Sequence, residues 1–263
     1  MLQGFELWVP PVPLEFDDGM PYYEIIGTDA QIVQFPLKRG RQIMCFSGAM
    51  AYMSDGIKMD VQLAGFQKTF GRLAGGGSLF QVTYTNESGD DNAYIACTGD
   101  YPGVIVPMNM SSTGKIICLR DSFLCATVGL GRPMTNISAG FNPASNPISF
   151  CCSGIDFIVQ TVENGEYAFL MAMGTVIKKT LRVGESIVVD GDSVLAFESS
   201  VTVDVRAVGN IAAICCGGEG IFNTELSGPG TIYLQSMSID KLRRLFPPHV
   251  SSSSGDGDGG SSD

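Results

Sequence analysis

Short apolar runs separated by polar turns dominate the chain, and this pattern predicts β-strands. Apolar runs at residues 186–189 and 193–197 flank Asp190-Gly191, a pair typical of a hairpin turn. Residues 201–206 alternate apolar and polar side chains, with the period of two that a half-buried strand shows. The pattern therefore predicts an all-β fold.

A turn motif recurs three times and extends this prediction to the whole chain. In each copy, apolar or small residues lead into a glycine-containing turn and then into a strand, at residues 72–80, 150–157 and 214–222. The strands upstream of these turns align at Gln31, Val104 and Val176, which gives periods of 73 and 72 residues. We therefore predict three pseudo-repeated β units, spanning about residues 22–100, 101–172 and 173–236, packed into one compact body.

The two ends of the chain differ from this body. Residues 1–21 carry Trp8, followed by Pro10, Pro11 and Pro13, and they predict an extended N-terminal arm. Ser238 can cap a short C-terminal helix over residues 238–246, which Pro247 ends. Residues 247–263 are predicted to form a disordered tail rich in Ser, Gly and Asp. A single domain over residues 22–246 follows.

Composition and charge narrow the classes of partner. The chain is 44% hydrophobic and only 16% charged, which fits either a surface covered by a partner or many strands buried on both faces. A net charge of −11 disfavours nucleic acid as a partner. The basic stretch at residues 37–41 is interpreted as a solvated hairpin turn. The sequence shows no transmembrane segment, and no Lys or Arg precedes Lys38, so a cytoplasmic location is predicted.

The cysteines are interpreted as reduced packing residues. Adjacent pairs occur at Cys151-Cys152 and Cys215-Cys216, and neighbouring residues on a strand point to opposite faces, which makes them poor metal ligands. In the first repeat the same positions hold Leu73-Ala74, small or apolar residues without ligand chemistry. We therefore predict no metal and no cofactor.

Residues with the spacing of a catalytic site are also lacking. His249, the single histidine, follows Pro248 within the predicted tail, where a triad is hard to assemble. Gly75–Gly77 lacks the Lys-Ser or Lys-Thr that follows in a phosphate loop. Asp190 and Asp192 lie in a turn and are interpreted as turn formers. The sequence therefore predicts a protein without enzymatic activity.

Several motifs, in order, resemble the altered inheritance of mitochondria protein 24 family. They are Ser47-Gly48-Ala49-Met50-Ala51-Tyr52-Met53, Leu73-Ala74-Gly75-Gly76-Gly77-Ser78-Leu79-Phe80, Tyr101-Pro102-Gly103-Val104, Gly218-Glu219-Gly220-Ile221-Phe222 and Leu226-Ser227-Gly228-Pro229-Gly230. The resemblance implies a β-rich fold like that of the tryptophan RNA-binding attenuation protein, with no known enzymatic activity. Fungal mitochondrial members of the family are linked to inner-membrane organisation, which makes the mitochondrion the alternative location.

The resemblance selects candidate residues, for which we expect structural roles. They are Gly48, Tyr52, Met53, Gly76, Gly77, Phe80, Gly218, Glu219, Gly220, Gly228 and Gly230. The predicted function is that of a non-enzymatic scaffold or interaction protein that supports a mitochondrial or membrane-associated complex. Protein partners, a homo-oligomer and peripheral membrane association all fit this prediction. The alternative is a module that binds a small molecule or a lipid head group.

Overall fold

The computed structural model describes residues 2–63, 80–128, 135–141, 158–207 and 222–245, and within them antiparallel strands predominate. The strands are β1 Glu6–Leu7, β2 Glu24–Ile26, β3 Ile32–Pro36, β4 Gln42–Phe46, β5 Met50–Met53, β6 Ile57–Leu63, β7 Phe80–Asn86, β8 Tyr94–Cys97, β9 Val104–Asn109, β10 Ile116–Leu119, β11 Phe123–Val128, β12 Asn136–Phe141, β13 Ile158–Glu163, β14 Tyr167–Leu181, β15 Ser186–Val189, β16 Val194–Glu198, β17 Thr202–Ala207, β18 Phe222–Ser227 and β19 Gly230–Met237. Helices span Met110–Thr113 and Ile239–Leu245. The all-β prediction is confirmed.

The strands form two outer sheets and two inner sheets. The first outer sheet has the order β2-β3-β8-β5, and the second has the order β15-β18-β17. The first inner sheet runs β6-β7-β4-β11-β14-β9, and the second runs β12-β13-β10-β16-β19-β14-β1. Strand β14 belongs to both inner sheets because its first half pairs with β9 and β11 and its second half pairs with β19 and β1. One long strand therefore joins the two halves of the body.

Three hydrophobic clusters lie between these sheets. Along β14, Tyr167, Phe169 and Met171 point into the cluster below the first outer sheet. The intervening Ala168 and Leu170 point into the cluster between the inner sheets, because successive side chains of a strand face opposite ways. Burial on both faces explains why β11 and the first half of β14 are nearly continuous apolar runs without alternation.

Each third of the chain has six main strands, namely β3 to β8, β9 to β14 and β14 to β19. These strands pair in the same order in every third. The first strand pairs with the sixth, the second with the fifth, the third with the sixth and the fourth with the fifth. The first third shows this in β3–β8, β4–β7, β5–β8 and β6–β7, the second in β9–β14, β10–β13, β11–β14 and β12–β13, and the last in β14–β19, β15–β18, β16–β19 and β17–β18. This recurrence supports the predicted three-unit division, which stays a prediction.

The predicted hairpins are wrong in their pairing, although the strands and turns are present. Strands β15 and β16 flank Asp190-Gly191 as expected, but β15 pairs with β18, and β16 pairs with β10 and β19. Likewise, β3 and β4 flank the basic turn at residues 37–41 and lie in different sheets. Each turn carries the chain from one layer to another, because both layers are needed to cover the cluster between them.

The two ends of the described chain contact the body. In the N-terminal arm, β1 pairs with β14, and the Trp8 backbone N–H donates to the Val176 carbonyl at 3.0 Å. At the other end, the Lys241 N–H donates to the Ser238 hydroxyl at 3.1 Å, which confirms Ser238 as the helix cap. The division into arm, body and tail stays a prediction, and the tail lies outside the described residues.

Candidate functional site

Two of the predicted family-motif residues lie side by side on β5, at one edge of the first outer sheet. Tyr52 is 39% exposed, and the neighbouring Met53 is also exposed. Gly48 precedes them in the turn between β4 and β5, which a hydrogen bond from the Ala49 N–H to the Phe46 carbonyl closes at 3.3 Å. The turn lifts the chain from the first inner sheet to the outer one, and it thereby places Tyr52 at the surface.

Side chains from two neighbouring strands hold Tyr52 in place. Its hydroxyl donates a hydrogen bond to the Gln34 amide oxygen of β3 at 2.8 Å. Its ring meets the exposed ring of Tyr94 on β8 edge to face, with centroids 6.2 Å apart. We call Gln34, Tyr52, Met53 and Tyr94 the aromatic edge patch. No local pattern indicates that Gln34 and Tyr94 join Tyr52, because they lie on separate strands.

Strand β5 also leaves one of its backbone edges without a β partner among the described strands, since it pairs there with β8 alone. Proteins usually protect such an edge with charged residues, proline or a bulge that turns it away. The four residues of β5 include no charge and no proline, and its one irregularity, between Met50 and Tyr52, leaves Tyr52 and Met53 paired with β8. By contrast β6, the edge strand of the first inner sheet, carries Lys58 and Asp60. The edge of β5 is therefore suited to pairing with another strand.

The other described candidates lie in a turn and at the start of a strand, and their structural roles stay a prediction. Gly228 and Gly230 flank Pro229 in the tight turn between β18 and β19. A methyl group on Gly228 would lie 2.5 Å from the Arg182 carbonyl oxygen. Gly230 has a φ of +143°, a conformation that other residues rarely adopt. Phe80 begins β7, opposite Leu63. Gly76, Gly77, Gly218, Glu219 and Gly220 lie outside the described residues.

A cleft of about 280 Å³ adjoins the aromatic edge patch and shares Gln34 and Tyr94 with it. Tyr23 and Glu24 also line the cleft. The buried Tyr23 hydroxyl has no hydrogen-bond partner among the described residues. Burial raises the pKa of Tyr23 well above its ordinary value, so the hydroxyl remains a neutral donor.

The basic turn at residues 37–41 differs from the solvated turn predicted from the sequence. The Arg41 guanidinium forms an ion pair with the Glu166 carboxylate, and both side chains are largely buried. Arg41 also lies over the rings of Phe16 and Tyr22, 4.8 and 4.9 Å from their centroids. Lys38 pairs with an aspartate of the N-terminal arm. These charges therefore hold the arm to the body, and sequence reasoning missed them because Glu166 is 125 residues away.

The four described cysteines are buried, unpaired thiols within the hydrophobic clusters. Burial raises the pKa of Cys118 to about 12, and a hydrogen bond with Cys97 raises the pKa of Cys45 further. Such thiols stay protonated at neutral pH and are unreactive. Within the described ranges, no three His, Cys, Asp or Glu side chains are grouped to hold a metal ion. The paired cysteines at 151–152 and 215–216 lie outside those ranges.

Fold and site together define an all-β protein of stacked antiparallel sheets with an exposed, uncharged aromatic edge. The model of the mitochondrial biogenesis AIM24 family matches residues 23–237. The chain belongs to this family, which confirms the resemblance seen in the sequence motifs.

Relatives from Streptococcus pyogenes agree with this assignment. An uncharacterised protein of a serotype M6 strain is 25% identical over 230 residues, which cover 82% of this chain and 87% of that protein. The crystal structure of another S. pyogenes protein superposes with a TM-score of 0.62 at 19% identity, over 85% of this chain and 96% of the other. At that identity the superposition shows a shared fold alone. Among the described helices, none has the length and apolar character needed to span a bilayer.

Proposed function

We propose that this protein is a non-enzymatic interaction protein that binds a protein partner through the aromatic edge patch and the adjoining backbone edge of β5. The observation that carries the proposal is the exposed, uncharged β5 edge beside two exposed tyrosines. The buried, protonated cysteines support a role without nucleophilic chemistry. The description of the family, mitochondrial biogenesis, supports the part of the proposal that concerns a mitochondrial complex.

Binding by strand addition fits this surface. A partner strand would form main-chain hydrogen bonds to β5, and its alternate side chains would contact the patch. The hydrogen bond from Tyr52 to Gln34 already fixes the Tyr52 side chain. Holding a side chain before binding avoids about 0.5–1.5 kcal/mol of lost rotamer freedom, which favours affinity. Tyrosine and methionine are also enriched at protein interfaces relative to the remaining surface.

The partner class follows from charge. A net charge of −11 opposes direct adsorption to anionic lipids, so we place membrane association after contact with a protein. We also propose that the protein supports a mitochondrial or membrane-associated complex. The proposed location is the cytoplasm, with the mitochondrion as the alternative.

The cleft next to the patch favours a second candidate function, the binding of a small molecule or a lipid head group. The buried Tyr23 hydroxyl supports this role because it is a donor without a described partner. The cleft volume of about 280 Å³ is slightly below the range of about 300–1,000 Å³ usual for ligand pockets, so this function ranks second. Native mass spectrometry of the purified protein tests it. A retained mass that Tyr23→Phe abolishes supports ligand binding, and an unliganded mass throughout contradicts it.

The first proposal is tested by comparing the proteins that co-purify with three baits. The baits are the unaltered chain, a Tyr52→Arg and Met53→Arg double variant, and Met59→Arg, which changes an exposed methionine on the charged edge strand β6. We expect the double variant to lose its partners by about tenfold or more, equivalent to about 1.4 kcal/mol, while Met59→Arg retains them. Equal recovery with all three baits would contradict the proposal.

A further inference from the structure

Two junctions inside the chain are built in the same way. At the first, β4 pairs with β11, and Cys45 lies opposite Cys125. At the second, β10 pairs with β16, and Cys118 lies opposite Ala196. In both, the second strand of one third of the chain pairs antiparallel with the third strand of the next third. Each junction therefore joins a sheet of one third to a sheet of the next third.

Pairings outside the junctions show which residues of the three second strands correspond to one another. On the second strands, Ile43 lies opposite Tyr84, Ile116 opposite Val162 and Ile187 opposite Leu226, and each of these isoleucines contributes to a hydrophobic cluster. Two residues further along each strand come Cys45, Cys118 and Val189. Val189 of β15 therefore corresponds to the two junction cysteines.

The third strands are aligned by a shared irregularity. The ladders β5–β8, β11–β14 and β16–β19 each shift register by one residue near the start of the third strand. Pairing resumes after the shift at Tyr52, Cys125 and Ala196. Tyr52 of β5 therefore corresponds to the two residues that face the junction cysteines. A third junction would place Tyr52 opposite Val189 and Met53 opposite Val188.

The two halves of this third junction are unpaired in the described structure. Strand β5 pairs there with β8 alone, and β15 pairs with β18 alone. The two strands belong to different outer sheets, and none of the described hydrophobic clusters contains residues of both sheets. Neither strand carries a charged residue. A single chain therefore presents two uncharged strand edges, those of β5 and β15. The corresponding strands in the other thirds pair with each other within the chain.

Burial shows what the missing junction leaves open. Met44 and Ile117, one residue before the junction cysteines, are 2% and 7% exposed, whereas the corresponding Val188 is 42% exposed. Cys125 is fully buried in its junction, whereas the corresponding Tyr52 is exposed. These positions are thus buried at the two formed junctions, whereas Tyr52 of β5 and Val188 of β15 are exposed.

We infer that β15 of one copy of this chain pairs antiparallel with β5 of a second copy, with Tyr52 opposite Val189 and Met53 opposite Val188. This inference rests on the proposed protein-binding role of β5 and names its partner. The contact is head to tail, because the two edges differ. Head-to-tail contacts generate a closed ring or an open filament, according to the rotation between copies.

Mixed disulfides test the register directly. Purified Met53→Cys and Val188→Cys variants are mixed, oxidised mildly and analysed by peptide mass spectrometry, with the unaltered chain oxidised in parallel. Directly opposed antiparallel residues have Cα atoms about 4.5–5.5 Å apart, within the range for a disulfide. We expect an interchain 53–188 disulfide. A mixture of Tyr52→Cys and Val188→Cys is the control, because those side chains would face opposite sides and form no bond.

Other outcomes overturn the inference. A 53–53 disulfide would indicate a symmetric contact, and absence of the 53–188 bond would show that these edges do not meet. A double variant Met53→Cys and Val188→Cys that cross-links within one chain at high dilution would show closure of a single copy. If no disulfide forms between two copies while the Tyr52→Arg and Met53→Arg bait still loses its partners, the proposed function stands and the partner is a different protein.

Sedimentation velocity supplies a second measurement. Met53→Lys should weaken self-association by about tenfold or more, since a charge on an edge strand opposes pairing. Met59→Lys on β6 should leave it unchanged. An unaltered chain that sediments as a monomer at all concentrations, or equal effects of both variants, would contradict the inference.

Discussion

Cys45 and Cys125 lie directly opposite each other in the ladder between β4 and β11, and both are buried. Cys118 and Ala196 repeat this relationship between β10 and β16. The corresponding residues are Tyr52 in the first third of the chain and Val189 in the last third. Neither has a junction partner among the described strands. A junction formed twice and left open once explains why the aromatic edge of β5 is exposed.

Removal of the buried Arg41 guanidinium should strongly destabilise the fold. Arg41→Ala leaves the buried Glu166 carboxylate without its partner, and breaking a buried ion pair in this way costs about 3–5 kcal/mol. Urea denaturation measures the change in the free energy of unfolding. Lys38→Ala is the matched control, because its pair with Asp18 is exposed and screened by solvent, so a much smaller loss is expected. Equal losses for the two variants would contradict this difference in burial.

A side chain at Gly230 should cost more than one at Gly48. Gly230 combines a φ of +143° with neighbours that an added methyl group would meet at 2.6 and 2.8 Å. Gly48 has a φ of +96° and open space around it. Strained backbone and overpacking each cost about 1–3 kcal/mol, so Gly230→Ala should lose roughly twice the stability that Gly48→Ala loses. Thermal denaturation compares the two, and a smaller loss for Gly230→Ala would refute the assignment.

The buried thiol of Cys118 should make stability fall in alkali. Burial raises its pKa from 9.0 to about 12 in the folded chain. The stabilising effect is therefore fully present below about pH 9 and is lost as the pH rises towards 12, because the unfolded chain releases the proton first. Between these values Cys118→Ala should reduce the loss by roughly 1 kcal/mol per pH unit. Urea titrations at several pH values measure both slopes, and parallel slopes would count against the effect.

The Tyr52 hydroxyl should affect association more than folding. Tyr52→Phe keeps the ring and removes the hydrogen bond to Gln34, which lies at the surface. Loss of this constraint should weaken self-association by about 2- to 12-fold, the equivalent of about 0.5–1.5 kcal/mol of side-chain ordering. Sedimentation equilibrium measures the association constant, and Tyr94→Phe serves as the control on the neighbouring strand. An association constant unaffected by Tyr52→Phe would show that the hydrogen bond has no positioning role.

Local patterns predicted the strands, the capped helix and the turns, because these depend on residues close in sequence. They failed for pairing. Asp190-Gly191 has the chemistry of a hairpin turn, yet its flanking strands join different sheets, since each must cover a different face of the clusters. The family motifs pointed to Tyr52 and Met53 but not to Gln34 or Tyr94. Contacts such as Arg41 with Glu166 span 125 residues, a distance that no local pattern reports.

Hydrogen–deuterium exchange of the unaltered chain across a concentration series tests the central claim most directly. Residues 50–54 of the β5 edge and residues 186–189 of β15 should become more protected together as the protein concentration rises. Residues 57–61 of the charged edge strand β6 should exchange at the same rate throughout. Concentration-independent exchange in β5 and β15, or protection of β6 instead, would contradict pairing between these two edges.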